Sequence, residues 1–240
     1  GEGSDNRNQN TVLTWDNILN WKHDFGKHGI DIMAGTSWTD SDYRNSWING
    51  SHYRDDKIQT LNAANKIALG GAGSSASEWG IMSYLGRIAY NYDSRYLLTA
   101  NIRYDGSSKL HPDHRWKAFP SVSAAWRMNQ EDFMSGIEWI SDLKIRGGWG
   151  KTGNQGGVGD YAYLQRYNIN RIPWYEEGKE NAVPTITQAN LRTTDLTWET
   201  TTQWGIGVDF SVLNGRINLA ADYYNKKTCL LYTSDAADEL

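Results

Sequence analysis

The stretch Tyr96-Leu97-Leu98-Thr99-Ala100-Asn101-Ile102-Arg103-Tyr104-Asp105 alternates between apolar and polar side chains. Its even-numbered positions are Tyr, Leu, Ala, Ile and Tyr, and its odd-numbered positions are Leu, Thr, Asn, Arg and Asp. Because successive side chains of a β-strand point to opposite faces, this period of two predicts a strand with one apolar and one polar face.

The same alternation recurs along the chain, in residues 13–21, 30–38, 82–90, 116–127, 143–149, 198–210 and 217–223. We therefore predict about eight antiparallel strands of roughly ten to thirteen residues, about twice the usual length in globular proteins. Short turns are expected near residues 25–28, 92–95 and 213–215, and a compact link with one helical turn at 130–134. Long polar loops are expected near residues 39–78, 106–114 and 153–196. Short turns at one end and long loops at the other are typical of outer-membrane β-barrels.

Composition narrows the class of protein. The chain has 240 residues and a net charge of −4, which disfavours a nucleic-acid binder that relies on phosphate contacts. The single cysteine, Cys229, excludes an internal disulfide and a cysteine zinc site. Mean hydropathy is −0.67, and no apolar run reaches the roughly 18 residues of a membrane helix. Twelve Trp and fourteen Tyr stand against four Phe, an excess of amphipathic rings that is typical of wet binding surfaces and membrane boundaries.

The Trp and Tyr residues lie at both ends of the predicted apolar face. Trp116 and Trp126 are ten residues apart, about 33 Å along a strand, which projects to about 25 Å at a tilt of about 40°. That is the height of a membrane barrel's apolar band, so the pattern favours a barrel over a soluble carbohydrate-binding β-sandwich. A passive porin would share the same strands. The long-loop end is expected to carry Trp38, Tyr104, Trp116, Trp149, Trp198 and Tyr223, and the short-turn end Trp21, Tyr90, Tyr96, Trp126 and Phe210.

Several ordered motifs resemble one family. The stretch LGRIAYNY at residues 85–92 resembles the Gly-Arg-Ile-x-Tyr-x-Tyr strand of SusC/RagA-type TonB-linked outer-membrane transporters. Further similar segments are RYLLTA (95–100), RYDGSS (103–108), FPSVSAAWR (119–127), LKIR (143–146), GKTGNQ (150–155), LTWETT (196–201) and LNGR (213–216). The chain is thus identified as a member of this TonB-dependent receptor family over about residues 79–228.

The resemblance implies a barrel of about 22 strands with an N-terminal plug, located in the bacterial outer membrane. It also implies import of an oligosaccharide or a peptide, driven by the TonB complex, with a SusD-like surface lipoprotein as partner. Because the chain supplies only about eight strands, we expect an internal fragment, with residues 1–228 as a partial barrel domain that lacks the plug. Alternation stops after Thr228 without turn residues, so residues 229–240 are expected to be a non-native or truncated tail.

The predicted barrel suggests two sets of candidate site residues. The polar strand faces carry charges that would point into the lumen. The alternative to a role in substrate contact is that these charges bond to one another or to the plug. The long loop carries aromatic side chains that suit sugar stacking, and packing within the loop is the alternative. The lumen-facing set is Arg87, Arg103, Arg127, Lys144, Arg146 and Asp209, and the candidate substrate-binding set is Tyr161, Tyr163, Tyr167, Trp174 and Tyr175.

No enzymatic activity and no cofactor are expected, because no catalytic motif is present. His111, Asp113 and His114 contain a metal-ligand spacing, but we interpret them as part of a polar loop, and no metal site is predicted.

Overall fold

Ten β-strands form two sheets in the computed structural model, which describes residues 1–55, 57–58, 60–174, 183–190 and 195–229. The main sheet has eight strands in the order β1-β2-β3-β4-β5-β6-β9-β10. Each strand is next to the one that follows it in sequence, except that β6 is next to β9, because β7 and β8 form a separate two-stranded sheet. The bounds are β1 Glu2–Phe25, β2 His28–Ser51, β3 Lys66–Tyr92, β4 Tyr96–Ser107, β5 Trp116–Arg127, β6 Ile140–Asn154, β7 Tyr167–Trp174, β8 Val183–Gln188, β9 Glu199–Val212 and β10 Ile217–Cys229. The predicted set of about eight main strands is confirmed.

The first three strands are longer than the sequence pattern indicates. They contain 24, 24 and 27 residues, and the prediction of a loop over residues 39–78 is wrong for most of that range. The connection between β2 and β3 is only residues 52–65 and includes a short 3-10 turn at Leu61–Ala63. The extensions mix polar, glycine and scattered apolar residues without regular alternation, so they carry no hydrophobic period, although their backbone groups pair as in any other strand.

The chain divides into two compact units, residues 1–15 with 38–81 and residues 16–37 with 82–240. In the first unit, side-chain amides on β1 bond to polar side chains on β2. The Ser41 hydroxyl donates to Asn10 Oδ1 at 3.3 Å, Tyr43 donates to Asn8 Oδ1 at 3.3 Å, and Asn45 Nδ2 donates to Asn6 Oδ1 at 2.8 Å. These cross-strand bonds link the β1 and β2 extensions through polar side chains.

In the second unit, one face of the sheet is apolar and uncovered. Ile102, Ile206 and Leu219 remain 53%, 52% and 62% exposed. Among the described residues, the buried hydrophobic side chains are only Leu110, Phe119, Leu196 and Trp198. A soluble sandwich would bury such a face against a second large sheet, so that alternative is wrong for the described part of the chain.

The short turns have the tight backbone that hairpins require. Asp93 and Ser94 both have positive φ, 51° and 56°, between β3 and β4, and the β9–β10 turn has positive φ at Leu213, Asn214 and Gly215. Two consecutive left-handed residues match the twist of the flanking strands. The predicted helical turn at 130–134 is observed as two 3-10 turns, Met128–Gln130 and Asp132–Met134.

Within the described residues, no helix is long and apolar enough to cross a membrane.

Candidate functional site

The predicted lumen-facing residues lie on the polar face of the second unit, opposite the exposed apolar side chains. We call Arg87, Arg103, Arg127, Lys144, Arg146 and Asp209 the charged face. The Arg87 guanidinium contacts Asp31 at 3.0 Å. Arg103 bonds to Asp105 at 2.9 Å and donates to the Ser83 hydroxyl at 3.1 Å.

A four-residue network joins three strands of this face. Arg146 on β6 donates to Asp209 on β9 at 3.2 Å and to Asp222 on β10 at 2.8 Å. Lys144 lies 3.6 Å from Asp209. Gly207 lies beneath the network, because a Cβ at that position would be 2.9 Å from Arg146 Cζ. The missing side chain lets Arg146 reach across β9 to β10.

The charges on this face therefore balance one another. Arg127 is the loosest member, since its guanidinium is 3.9 Å from Asp142. The side chains of the Arg146 network are between 31% and 50% exposed, so solvent screens these ion pairs and they add little to stability. The network thus sets the charge of the surface more than it stabilises the fold. Beside it lies an open depression of about 840 Å³, lined by small residues including Ser121, Ser123, Gly148, Gly150 and Gly205.

The long connections after β4 and β6 pack together into an ordered loop cluster. We define it by its buried residues Leu110, Phe119, Leu196 and Trp198. The Trp198 Nε1–H donates to the Arg115 carbonyl at 2.8 Å, and the rings of Phe119 and Trp198 meet edge to face at 5.4 Å. This cluster is the only group of buried large hydrophobic side chains among the described residues.

Polar contacts close the loop cluster around this core. Lys109 pairs with Asp160 at 2.9 Å, and both side chains are largely buried. The Ser107 hydroxyl donates to the Gln155 side-chain carbonyl. The connections around residues 107–115 and 155–160 are thereby held against each other.

The expectation that Trp198 belongs to the apolar-face aromatic layer is wrong. Trp198 precedes β9, which begins at Glu199, and its ring is buried in the loop cluster. Trp204 occupies the expected place instead, with its ring 5.6 Å from that of Tyr223. Trp198 and Trp204 are both at even-numbered positions, but a spacing of even number places two side chains on one face only within a continuous strand.

The predicted substrate-binding aromatics divide between two places. Tyr161 and Tyr163 are half-buried in the connection after β6, where the Tyr163 ring meets His111 edge to face at 6.0 Å. Tyr167 begins the β7–β8 hairpin and is 59% exposed. Trp174 ends β7, and its side chain lies outside the described part; Tyr175 lies wholly outside the described residues. A role of these residues in binding stays a prediction.

The His111-Asp113-His114 motif is part of loop packing. The Asp113 backbone N–H donates to His111 Nδ1 at 3.4 Å, and the His111 and His114 rings are 6.1 Å apart. Within the described ranges, no group of three or more His, Cys, Asp or Glu side chains is arranged to hold a metal ion.

Aromatic rings border the exposed apolar face at both of its ends in the second unit. At the long-loop end, Trp116 stacks with Tyr84 at 5.9 Å and with Tyr104 at 5.1 Å. At the short-turn end, Tyr96 stacks with Trp126 at 6.3 Å. This is the arrangement expected where a strand passes through the two boundaries of an apolar layer.

A hydrogen-bonded acid that the sequence did not single out lies among the short turns. Glu131 accepts hydrogen bonds from Tyr96 Oη at 2.7 Å, from Trp126 Nε1 at 3.0 Å and from Arg95 at 3.3 Å. The Trp126 bond, followed by that of Tyr96, lowers the pKa of Glu131 below its usual range. Sequence pattern offers no signal for it, because two of its three partners, Arg95 and Tyr96, lie 36 and 35 residues earlier in the chain.

A second acid at these turns is held by basic side chains. Lys27 contacts Asp93 at 2.9 Å and Arg95 contacts it at 3.3 Å. The Lys27 bond is the main cause of a lowered pKa at Asp93.

Comparison with known proteins gives consistent matches. Residues 1–228 match the family model described as TonB dependent receptor-like, beta-barrel. The chain is 34% identical over 214 residues to the TonB-dependent receptor P39 of Formosa agariphila, covering 89% of this chain and 20% of that protein. It is 34% identical over 220 residues to the TonB-dependent receptor SusC of Bacteroides thetaiotaomicron, covering 90% and 21%. The chain thus spans about a fifth of the length of these curated relatives.

The fold is also found in solved structures. The chain superimposes on the RagAB peptide transporter with a TM-score of 0.83 at 20% identity, over 94% of this chain and 24% of that one. The RagAB peptide importer in its 'open-open' state gives the same TM-score at 21% identity, over 95% of this chain. At this level of identity the likeness is one of fold.

Proposed function

Because the chain belongs to the TonB-dependent receptor-like β-barrel family, we propose that it is part of an outer-membrane transporter that imports nutrients. The observation that carries this proposal is the uncovered apolar face, bordered by aromatic rings at both ends and backed by a charged face. An Arg or Lys on the lipid side of a barrel at the bilayer midplane costs about 2–4 kcal/mol. The charged face is therefore assigned to the lumen and the apolar face to lipid.

The proposed mechanism is binding followed by gated import, without a chemical reaction. The loop cluster would lie on the extracellular side, because long loops in such barrels face outwards and short turns face the periplasm. A plug from a part of the polypeptide outside residues 1–240 would close the lumen. Force from the TonB complex would rearrange that plug, so that cargo passes along the charged face.

The proposed partner is a SusD-like surface lipoprotein, and the proposed cargo is an oligosaccharide or a peptide. SusC is a relative of this chain, and the RagAB peptide importer shares its fold. The 'closed-closed' and 'open-open' states of that importer suit a mouth that opens and closes. Among the described residues, the proposed cargo contacts are three tyrosines. Tyr161 and Tyr163 lie in the connection after β6, and Tyr167 begins the β7–β8 hairpin.

The domain assignment is also a proposal. Residues 1–228 are assigned to a partial barrel domain without a plug, and residues 229–240 to a non-native or truncated tail. Cys229 is the last residue of β10, and residues 230–240 lie outside the described residues. Sequencing genomic DNA across Thr228 tests this assignment, and uninterrupted coding through that codon would refute a non-native tail.

Uptake experiments test the function. Deleting the complete gene should abolish growth on the transported glycan or peptide as sole nutrient, and growth should return with the intact gene. Removing TonB should abolish uptake equally, because import would need force on the plug. Uptake that persists without TonB would instead support a passive porin and overturn the proposal.

A further inference from the structure

Two lysines lie on either side of one threonine on the apolar-facing surface, just beyond its aromatic layer at the long-loop end. Lys151 on β6 and Lys227 on β10 are both Cα partners of the same residue, Thr202 on β9. Directly paired residues of antiparallel strands point to the same side of the sheet. The three side chains therefore form a row, which we call the Lys151–Thr202–Lys227 row.

The next row towards the middle of the strands is aromatic. Trp149 pairs with Trp204, and Trp204 pairs with Asn225. Trp149 and Trp204 are 39% and 45% exposed on the apolar face. Since Lys151 is two residues beyond Trp149, and Thr202 two residues before Trp204, the lysine row lies on the same face as these rings and one step further out.

Within the part of the chain that the structure describes, the two lysines have no acidic partner. No carboxylate of the described residues forms an ion pair with either Nζ, whereas the charged face on the opposite side is paired throughout. Lys151 Nζ instead lies over the Trp149 ring, 5.8 Å from its centroid. Both lysine side chains are exposed. Among the described residues, the apolar-facing surface thus carries two positive charges without a paired carboxylate at its long-loop boundary.

The spacing of the row fits one anionic group. Neighbouring strands are about 4.8 Å apart, so the Cα atoms of the two lysines are about 10 Å apart, with the Thr202 hydroxyl between them. Two flexible ammonium groups can converge from that distance on a single phosphate, to which the hydroxyl can donate. A lipid whose chains lie on the Trp149 and Trp204 rings would place its headgroup phosphate at this height.

From this arrangement we propose that the Lys151–Thr202–Lys227 row binds the phosphate of an anionic lipid headgroup in the leaflet next to the long loops. The inference rests on the proposed function, because it needs the apolar face to lie against a bilayer. Charge complementarity selects phosphate-bearing lipids, and the aromatic row favours a ligand with acyl chains over a free anion.

The test uses the full-length protein in detergent micelles, titrated with bisphosphorylated lipid A and followed by native mass spectrometry. Each lysine near a membrane surface contributes a factor of about five in affinity, so we expect K151Q/K227Q to weaken binding about 30-fold. Lys226→Gln is the matched control, because Lys226 is the neighbouring lysine on the other face of β10 and pairs with Gln203. K226Q should bind as the parent does, and K227R should retain binding.

Further arms separate the possible ligands. The parent protein should bind dephosphorylated lipid A about 30-fold more weakly than the phosphorylated form. Dephosphorylated lipid A should bind equally to the parent protein and to K151Q/K227Q. Excess inorganic phosphate should not displace the lipid. Equal binding of both lipid forms, displacement by free phosphate, or a loss in K226Q equal to that in K151Q/K227Q would each overturn the inference.

Insertion of the same protein into nanodiscs separates this inference from the proposed function. A protein that inserts but shows no preference for phosphorylated lipid contradicts only the lysine row. A protein that stays monomeric in water and does not insert contradicts the membrane assignment itself.

Discussion

Gly207 shows how one residue permits a charge network to cross a strand. Arg146 reaches Asp222 two strands away only because no side chain stands between them on β9. We expect Gly207→Ala to displace the guanidinium and to lower the urea midpoint of unfolding slightly, because the Arg146–Asp222 hydrogen bond is lost.

Gly147→Ala is the matched control for this substitution. Gly147 is also in mid-strand, but a Cβ there would meet its nearest atom, the Gly205 carbonyl oxygen, at an ordinary 3.5 Å. We expect no loss of stability in G147A. The measurement is the urea midpoint of the full-length protein in detergent, and equal midpoints for G207A and G147A would contradict the assigned role of Gly207.

The lowered pKa of Glu131, at the short turns, predicts that the stability of the folded protein depends on pH. Its pKa is lowered in the folded protein, chiefly by the Trp126 and Tyr96 hydrogen bonds. A lowered carboxyl pKa stabilises the fold above the pKa of the unfolded chain, and this contribution disappears as pH falls through the lower folded pKa. We expect Glu131→Gln to be less stable than the parent near neutral pH, and the two proteins to converge in strong acid.

The urea midpoints of both proteins across the acid range measure this effect. Asp132→Asn is the control, because the neighbouring Asp132 side chain forms no ion pair with the described residues. A parent–E131Q difference that stays constant with pH would show that the Glu131 charge contributes nothing.

At the scale of elements, the β7–β8 hairpin is separate from the main sheet. Its two strands pair only with each other. Its ends are close, since the Ala189 N–H donates to the Arg166 carbonyl at 2.8 Å and the Asn190 side chain accepts from the Arg166 N–H at 2.8 Å. Removing the hairpin therefore leaves a gap that a short linker can close.

Replacing residues 167–188 by a short Gly-Ser turn should leave folding of the eight-stranded sheet intact. It should weaken cargo uptake if Tyr167 contributes to binding as proposed. Heat-modifiable migration in gels measures folding, and single Tyr167→Ala separates the side chain from the hairpin. Loss of the folded form on deletion would show that the hairpin supports the sheet.

For the whole molecule, residues 1–240 expressed alone should not be soluble. The sheet has two edge strands, β1 and β10, and a wide apolar face without a cover in the described structure. Unpaired edges and large apolar patches both promote association. We expect aggregation in water and dispersion in detergent, measured by light scattering. A monomer that melts cooperatively without detergent would contradict this prediction.

The sequence by itself determined the strands that have one apolar face, such as residues 96–105, because period-two alternation is a local signal. The C-terminal part of β2 and the N-terminal part of β3 escaped it, since neither segment alternates regularly between apolar and polar residues. Only the tertiary structure decided that Trp198 turns into the loop cluster, that Glu131 bonds to Tyr96 at the start of β4, and that Lys151 and Lys227 share Thr202 as a neighbour. Each of these contacts joins residues that are far apart in sequence. Which residues meet depends on the register between strands, and that register is set by the whole sheet rather than by any one segment.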